Sequence, residues 1–179
     1  KIKYIHSNIR IGKSKMDNEI FKKVSGKYQL YCGSDDYLKK NAIQEMVSLI
    51  RKIPFSYKNK INGIFSQCVD QNNISQSFYE DKIPDKEYIM RWEEIRDYIK
   101  GDCSVLEKSK SYKNKKFKEV DFVISESTLM NKVNKKKLFI LTPIITTVMK
   151  RSHDSISFGK TMRYTRGWAH SIAINSDIK

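Results

Sequence analysis

The residues of this chain that could carry chemistry are concentrated near its C-terminus, between Arg151 and Ile174. This stretch contains two of the three histidines and three of the seven arginines, together with a lysine, a tyrosine and a tryptophan. Histidine moves protons near neutral pH, arginine and lysine neutralise phosphate charge, and aromatic rings stack on bases. These residue types indicate chemistry on RNA.

Cleavage of RNA by its own 2′-hydroxyl needs a base, an acid and a cation beside the phosphate, without a metal or an enzyme nucleophile. We therefore expect His170 to act on the RNA as a general acid or base and His153 to take the complementary role. Arg163 and Lys160 are the expected catalytic cations. No cofactor is expected. The other predicted nucleic-acid contacts are cations and stacking aromatics: Arg166, Tyr164, Trp168, Arg151, Lys113, Lys115 and Lys116.

The two histidines also have a structural interpretation. Large and small residues alternate from Trp168 to Ile174, a pattern typical of a strand. On such a strand His170 shares a face with Trp168, so it could be a hydrogen-bonded core residue. His153, beside Asp154, could be a loop residue with a local hydrogen bond. Both interpretations stay open.

Metal-dependent chemistry has weaker support. The three cysteines are widely spaced and form no Cys-x-x-Cys pair, which argues against zinc. Asp85, Glu119 and Asp121 are of the type that holds Mg²⁺ in nucleases. However, Asp85 is expected at a helix start, and no lysine follows Asp121 at alternating spacing. We therefore predict no metal site.

A Cys–His hydrolase is a further alternative. Cys103 precedes His170 in the chain order that papain-like enzymes use, and the sequence around His170 is similar to the apolar strand that carries their histidine. The segment after Cys103 is rich in lysine, whereas those enzymes have an apolar helix at that position. This hypothesis therefore ranks below nucleic-acid chemistry.

The net charge of +15 favours a polyanionic partner. Both ends of the chain are basic and residues 70–107 are acidic, which AT-rich codon usage alone does not explain. Residues 107–118 are predicted to form a solvated, lysine-rich loop. RNA is thus the expected partner, and a protein with an acidic face would also complement the charge. A non-catalytic RNA- or DNA-binding module is the main alternative to an endoribonuclease.

The length suits one domain, 1–179, and no apolar run reaches the ~20 residues of a membrane span. Helices are predicted mainly in the N-terminal half, over 17–26, 34–54 and 83–101. Strands are predicted mainly in the C-terminal half, over 117–124, 138–148 and 168–174, with 55–81 mostly loop. This segregation predicts an α+β fold with an antiparallel sheet.

Overall fold

The computed structural model describes residues 6–9, 11–77, 79, 84–120 and 124–150. Its elements are α1 (Lys13–Lys23), β1 (Tyr28–Leu30), β2 (Tyr37–Leu38), α2 (Ala42–Lys52), α3 (Phe55–Lys58), β3 (Ile61–Asp70), β4 (Tyr88–Arg91), α4 (Trp92–Tyr98), β5 (Cys103–Lys108), a 3₁₀ turn (Ser109–Tyr112), α5 (Ser127–Asn134) and β6 (Leu138–Met149).

The described residues group into two compact units. Residues 27–111 and 134–150 form the sheet unit. Residues 6–26 and 112–133 form the helical unit. The expectation of a single domain remains a prediction.

The sheet confirms the α+β class. Its strands lie in the order β1-β5-β3-β6-β2, and β4 also pairs with β6. The β3–β6 pair is parallel and the other pairs are antiparallel, so the sheet is mixed rather than purely antiparallel. Its strands come from both halves of the chain, because β1 to β4 precede residue 92.

The strand β3 corrects the prediction that residues 55–81 are mostly loop. It lies in the middle of the sheet, and nine of its ten residues are buried. A strand buried on both faces loses the polar–apolar alternation of a half-exposed strand. Polar residues such as Ser66 also interrupted its apolar pattern, yet Ser66 is satisfied by a hydrogen bond with Thr146 at 2.6 Å.

A close approach of β5 to β3 explains the glycine at position 63. A Cβ atom there would lie 2.2 Å from the carbonyl oxygen of Leu106, which belongs to the backbone of β5. No side chain fits at that distance. Gly63 pairs with Glu107 and allows the two strands to keep this separation.

The strand predicted over 138–148 is confirmed as β6, and it continues past Pro143. Phe65 pairs with Leu141, whereas Gln67 pairs with Ile145, so β6 carries two extra residues at this point. Pro143 lies within this irregularity, where the parallel ladder with β3 is interrupted. A proline is therefore accommodated without removing a bond that the ladder needs.

The core of the sheet unit lies on both faces of the sheet. On one face α2 contributes Met46 and Ile50, which pack with Ile64, Leu106 and Ile140. The successive residue Phe65 points to the opposite face, as strand geometry requires. There the rings of Phe65, Trp92 and Phe139 contact one another, with centroids 5.3 to 5.8 Å apart.

The helix predicted over 83–101 is shorter than expected. Residues Tyr88–Arg91 pair with β6 as a strand, and the helix α4 begins at Trp92. Its start is fixed by Glu94, whose carboxylate accepts a hydrogen bond from the backbone N–H of Arg91 at 2.7 Å. The apolar spacing of Tyr88 and Trp92 suggested one helix, but the two residues belong to different elements.

The helical unit has its own core of Tyr112, Phe117, Ile124, Leu129 and Val133, against which Phe21 packs. Here α1 begins at Lys13, not at Asp17 as the sequence predicted. Asp17 lies inside the helix and accepts a hydrogen bond from the Lys13 side chain at 2.7 Å. Residues 117–120, predicted as the start of a strand, have no regular structure.

Candidate nucleic-acid interface

Most of the site predicted from the sequence lies outside the described residues. These positions are Arg151, His153, Lys160, Arg163, Tyr164, Arg166, Trp168 and His170. Their assigned roles remain predictions.

The lysine-rich loop is shorter than predicted. Glu107 and Lys108 are buried and end β5, and Ser109–Tyr112 forms a 3₁₀ turn. The amine of Lys108 donates to the carbonyl oxygens of Lys58 and Asn59 at 3.1 and 3.2 Å. Burial lowers the pKa of Lys108. Lys108 is therefore a buried residue that bonds the backbone at Lys58 and Asn59.

The exposed part of the loop lies in the helical unit. Lys113, Lys115 and Lys116 are exposed, and they stand between Tyr112 and Phe117, which are buried in the core. The backbone N–H of Lys115 donates to the carbonyl of Tyr112 at 2.9 Å, which closes a turn. The turn therefore exposes three cations, and the buried residues Tyr112 and Phe117 hold its two ends in place.

The sheet unit carries a basic groove that the sequence did not single out. It has a volume of about 650 Å³ and lies along α2. We call it the α2 groove. The residues that line it are Leu38, Lys39, Lys40, Ile43, Gln44, Val47, Ser48 and Arg51.

Side chains of α2 line one side of this groove, and the helical period determines which of them do so. Ala42, Met46 and Ile50 are buried. Side chains four residues apart stand above one another on a helix. A second row, formed by Ile43, Val47 and Arg51, therefore follows the edge of the buried face and lines the groove.

The segment that follows β2 supplies the other two cations, Lys39 and Lys40. Leu38 pairs with Thr147 of β6, and the backbone N–H of Lys39 donates to the carbonyl of Thr146 at 2.8 Å. These bonds fix the backbone at the start of the Lys39–Lys40 pair. Both side chains are exposed and line the groove together with Arg51.

The composition of the groove suits a polyanion. Three of its eight lining residues are cationic and none is acidic. Gln44 and Ser48 add neutral hydrogen-bond donors, and Leu38, Ile43 and Val47 add an apolar surface. The lining contains no histidine, cysteine or carboxylate that could move a proton or act as a nucleophile. Its chemistry is that of binding.

The surroundings of Cys103 do not favour the hydrolase hypothesis. Its sulfur donates a hydrogen bond to the hydroxyl of Ser77 at 3.6 Å. Burial raises the pKa of the Cys103 thiol to about 11. A nucleophilic cysteine needs a thiolate near neutral pH, and this environment stabilises the thiol.

Of the carboxylates considered for metal binding, Asp121 lies outside the described residues, and Asp85 and Glu119 have other partners. Asp85 accepts a hydrogen bond from the Tyr88 hydroxyl at 2.7 Å, and Glu119 accepts one from the Asn18 amide at 3.3 Å. Glu126 is paired with the amine of Lys13 at 2.8 Å. Within the described ranges, no group of three histidine, cysteine, aspartate or glutamate side chains could hold a metal ion.

Of the helices that the structure describes, none is long and apolar enough to cross a membrane.

Comparison with known proteins found no family model and no curated protein that matches this chain.

The sequence did contain a signal for the α2 groove. Lys39 and Lys40 lie within the range 34–54 that was predicted as a helix, and Arg51 continues the four-residue spacing of Ile43 and Val47 in the same range. Residues 46–69 contain no aspartate or glutamate. Cations at one edge of an apolar stripe indicate that positive charge lines the edge of the buried face of the helix.

Proposed function

We propose that this chain binds nucleic acid through the α2 groove, with RNA as its expected partner. The observation that carries the proposal is the convergence of Lys39, Lys40 and Arg51 on one groove that no carboxylate lines. Phosphate oxygens are the ligands that such a set of cations prefers, and Arg51 can bind a phosphate through two N–H groups. The net charge of +15 adds a long-range attraction for the same partner.

Different residues bind the RNA and cleave it. The α2 groove has no acid–base group, so it supplies affinity only. Metal-independent cleavage rests on His153 and His170, assisted by Arg163 and Lys160. If these residues do not act on RNA, the groove by itself makes the chain a non-catalytic binding module.

A binding measurement with matched charge variants tests the groove. We expect Lys39→Ala/Lys40→Ala/Arg51→Ala to weaken binding to a labelled RNA by at least about tenfold at low salt, because three phosphate contacts are lost. The control, Lys15→Ala/Lys22→Ala/Lys23→Ala, removes three exposed cations from α1. An equal loss in both variants would mean that net charge, not the groove, determines affinity.

Cleavage is tested by incubating the purified chain with RNA in EDTA. We expect the RNA to be cleaved, and the activity to be lost in His170→Ala. RNA that stays intact in EDTA but is cut when Mg²⁺ is added would contradict the metal-independent mechanism. RNA that is bound yet intact under both conditions would favour the non-catalytic module.

A further inference from the structure

We propose that the short helix α3, directly after α2, stacks on unpaired bases, so that the chain gains affinity from the bases of a single-stranded nucleic acid. The inference rests on the proposed function, since it assumes that phosphates occupy the α2 groove. It adds the class of nucleic acid that the same surface selects.

The first observation is the exposure of two aromatic side chains. Phe55 is 84% exposed and Tyr57 is 45% exposed, and no residue of α3 is buried. Aromatic side chains stabilise a fold mainly through the large area that they bury, so a ring as open as that of Phe55 contributes little to the fold. Residues two apart on a helix point in different directions. The two rings would therefore contact separate bases.

The second observation is the charge around these rings. The amine of Lys60 lies 5.9 Å from the centre of the Tyr57 ring. Lys52 and Lys60 are exposed on either side of α3, in the stretch 46–69 that contains no acidic residue. Aromatic rings interleaved with cations match the alternation of bases and phosphates in a single strand.

The third observation is continuity with the α2 groove. Arg51 lines the groove, and Phe55 follows four residues later. The backbone is extended at Ile53 and Pro54, so the Cα atoms of Arg51 and Phe55 lie at most about 15 Å apart. A strand whose phosphates contact Arg51 reaches Phe55 within a few nucleotides. In a duplex the base faces are already stacked and cannot contact these rings.

The test compares two single-stranded oligonucleotides of equal length, one with bases and one with abasic sites in the middle. Both carry the same phosphates, so the difference in affinity measures contacts with bases. We expect the native chain to bind the base-bearing strand more tightly, by about fivefold to a hundredfold. Phe55→Ala/Tyr57→Ala should remove this difference and leave the affinity for the abasic strand unchanged.

Tyr88→Ala is the matched control. Tyr88 is 37% exposed and has the amine of Lys86 5.7 Å from its ring, but it lies on β4. We expect this variant to keep the preference for bases. Circular dichroism and thermal melting of each variant establish that it folds.

The outcomes separate the two proposals. If Phe55→Ala/Tyr57→Ala keeps the preference for bases, or the native chain has no such preference, the stacking role is wrong while binding by the groove stands. If the double variant loses binding to anionic vesicles but not to oligonucleotides, α3 contacts a membrane surface instead and the stacking role is again wrong. If the native chain binds neither strand, the proposed function fails together with this inference.

Discussion

Asn18 and Phe117 are joined by two hydrogen bonds, although 99 residues separate them in the sequence. The side-chain amide of Asn18 donates to the Phe117 carbonyl at 3.1 Å, and the Phe117 N–H donates to the Asn18 side-chain oxygen at 2.7 Å. Asn18 thereby satisfies both backbone groups of a buried residue. It also fixes the end of the turn that carries Lys113, Lys115 and Lys116.

Replacing Asn18 should destabilise the helical unit. Asn18→Leu leaves the buried N–H and C=O of Phe117 without these partners, and we expect a loss of roughly 2 to 4 kcal/mol in the free energy of unfolding. Urea denaturation measures the loss. Ile20→Ala is the control, because Ile20 is 37% exposed on the same helix and should cost less. A cost for Asn18→Leu no larger than the control's would contradict the role of the two bonds.

The ion pair of Lys13 should give stability a specific pH dependence. Burial alone would lower the pKa of Lys13, but the carboxylates of Glu126 and Asp17 outweigh it and raise that pKa above its ordinary 10.5. A raised pKa means that the contribution to stability is complete below pH 10.5 and is lost as pH rises through the folded-state pKa.

We therefore expect the native chain to exceed Lys13→Met in stability by about 0.5 to 1 kcal/mol at pH 8, because Lys13 and Glu126 are partly exposed and solvent screens their attraction. The difference should disappear above the raised pKa, where Lys13 is neutral and both chains leave Asp17 without a charged partner. Denaturation of the two chains between pH 8 and pH 12 measures it. A difference that stays constant over this range would exclude the ion pair as its cause.

The cysteines should react with a thiol reagent at very different rates. Cys32 is exposed, whereas burial raises the pKa of Cys68 to about 12 and that of Cys103 to about 11. At pH 8 we expect Cys32 to be alkylated first and the other two to react only on local opening. Mass spectrometry of timed samples identifies the sites. Labelling of Cys103 as fast as Cys32 would instead indicate an activated nucleophile.

The carboxylates beside Cys32 provide a second test of its environment. Desolvation raises the pKa of Cys32, and Asp36 and Asp35 raise it further. Asp36→Asn removes one charge and should increase the thiolate fraction at pH 8, with an alkylation rate about two- to threefold higher. The aspartate also accepts a hydrogen bond from the N–H of Lys150 at 3.1 Å, and asparagine can keep it.

The salt dependence of RNA binding should identify which cations contact phosphates. For single strands, each neutralised phosphate contributes about 0.7 to the slope of log affinity against log salt concentration. Loss of Lys39, Lys40 and Arg51 together should therefore reduce the slope by up to about 2. The turn variant Lys113→Ala/Lys115→Ala/Lys116→Ala measures the contribution of the predicted loop. An unchanged slope in the groove variant would refute phosphate binding there.

The sequence predicted those elements whose pattern matches their environment. The helix α2 has one buried face, and the spacing of Ala42, Met46 and Ile50 reproduces it directly. The predicted range 34–54 began too early, because Tyr37–Leu38 pairs with β6 as the strand β2. The strand β6 is nearly continuous in apolar and β-branched residues, which is typical of a central strand. In both cases the local pattern and the tertiary position agree.

The strand β3 could not be predicted in the same way, because its polar residues are satisfied only by partners far away in the chain. Ser66 bonds Thr146, 80 residues later, and Asn62 bonds Asn134, 72 residues later. Such residues resemble a loop until the sheet has formed. The α2 groove was missed for a related reason, since Lys39 and Arg51 line one groove only in the folded sheet unit.

The position of β6 has a consequence for how the sheet unit folds. Although β6 follows the other five strands of the described sheet, it pairs with β3, β2 and β4. During synthesis, β2 and β4 are therefore made long before the only strand with which each of them forms a ladder in the described sheet. The sheet cannot be completed until residues 138–149 have left the ribosome. Until then one edge of β3 has no partner strand.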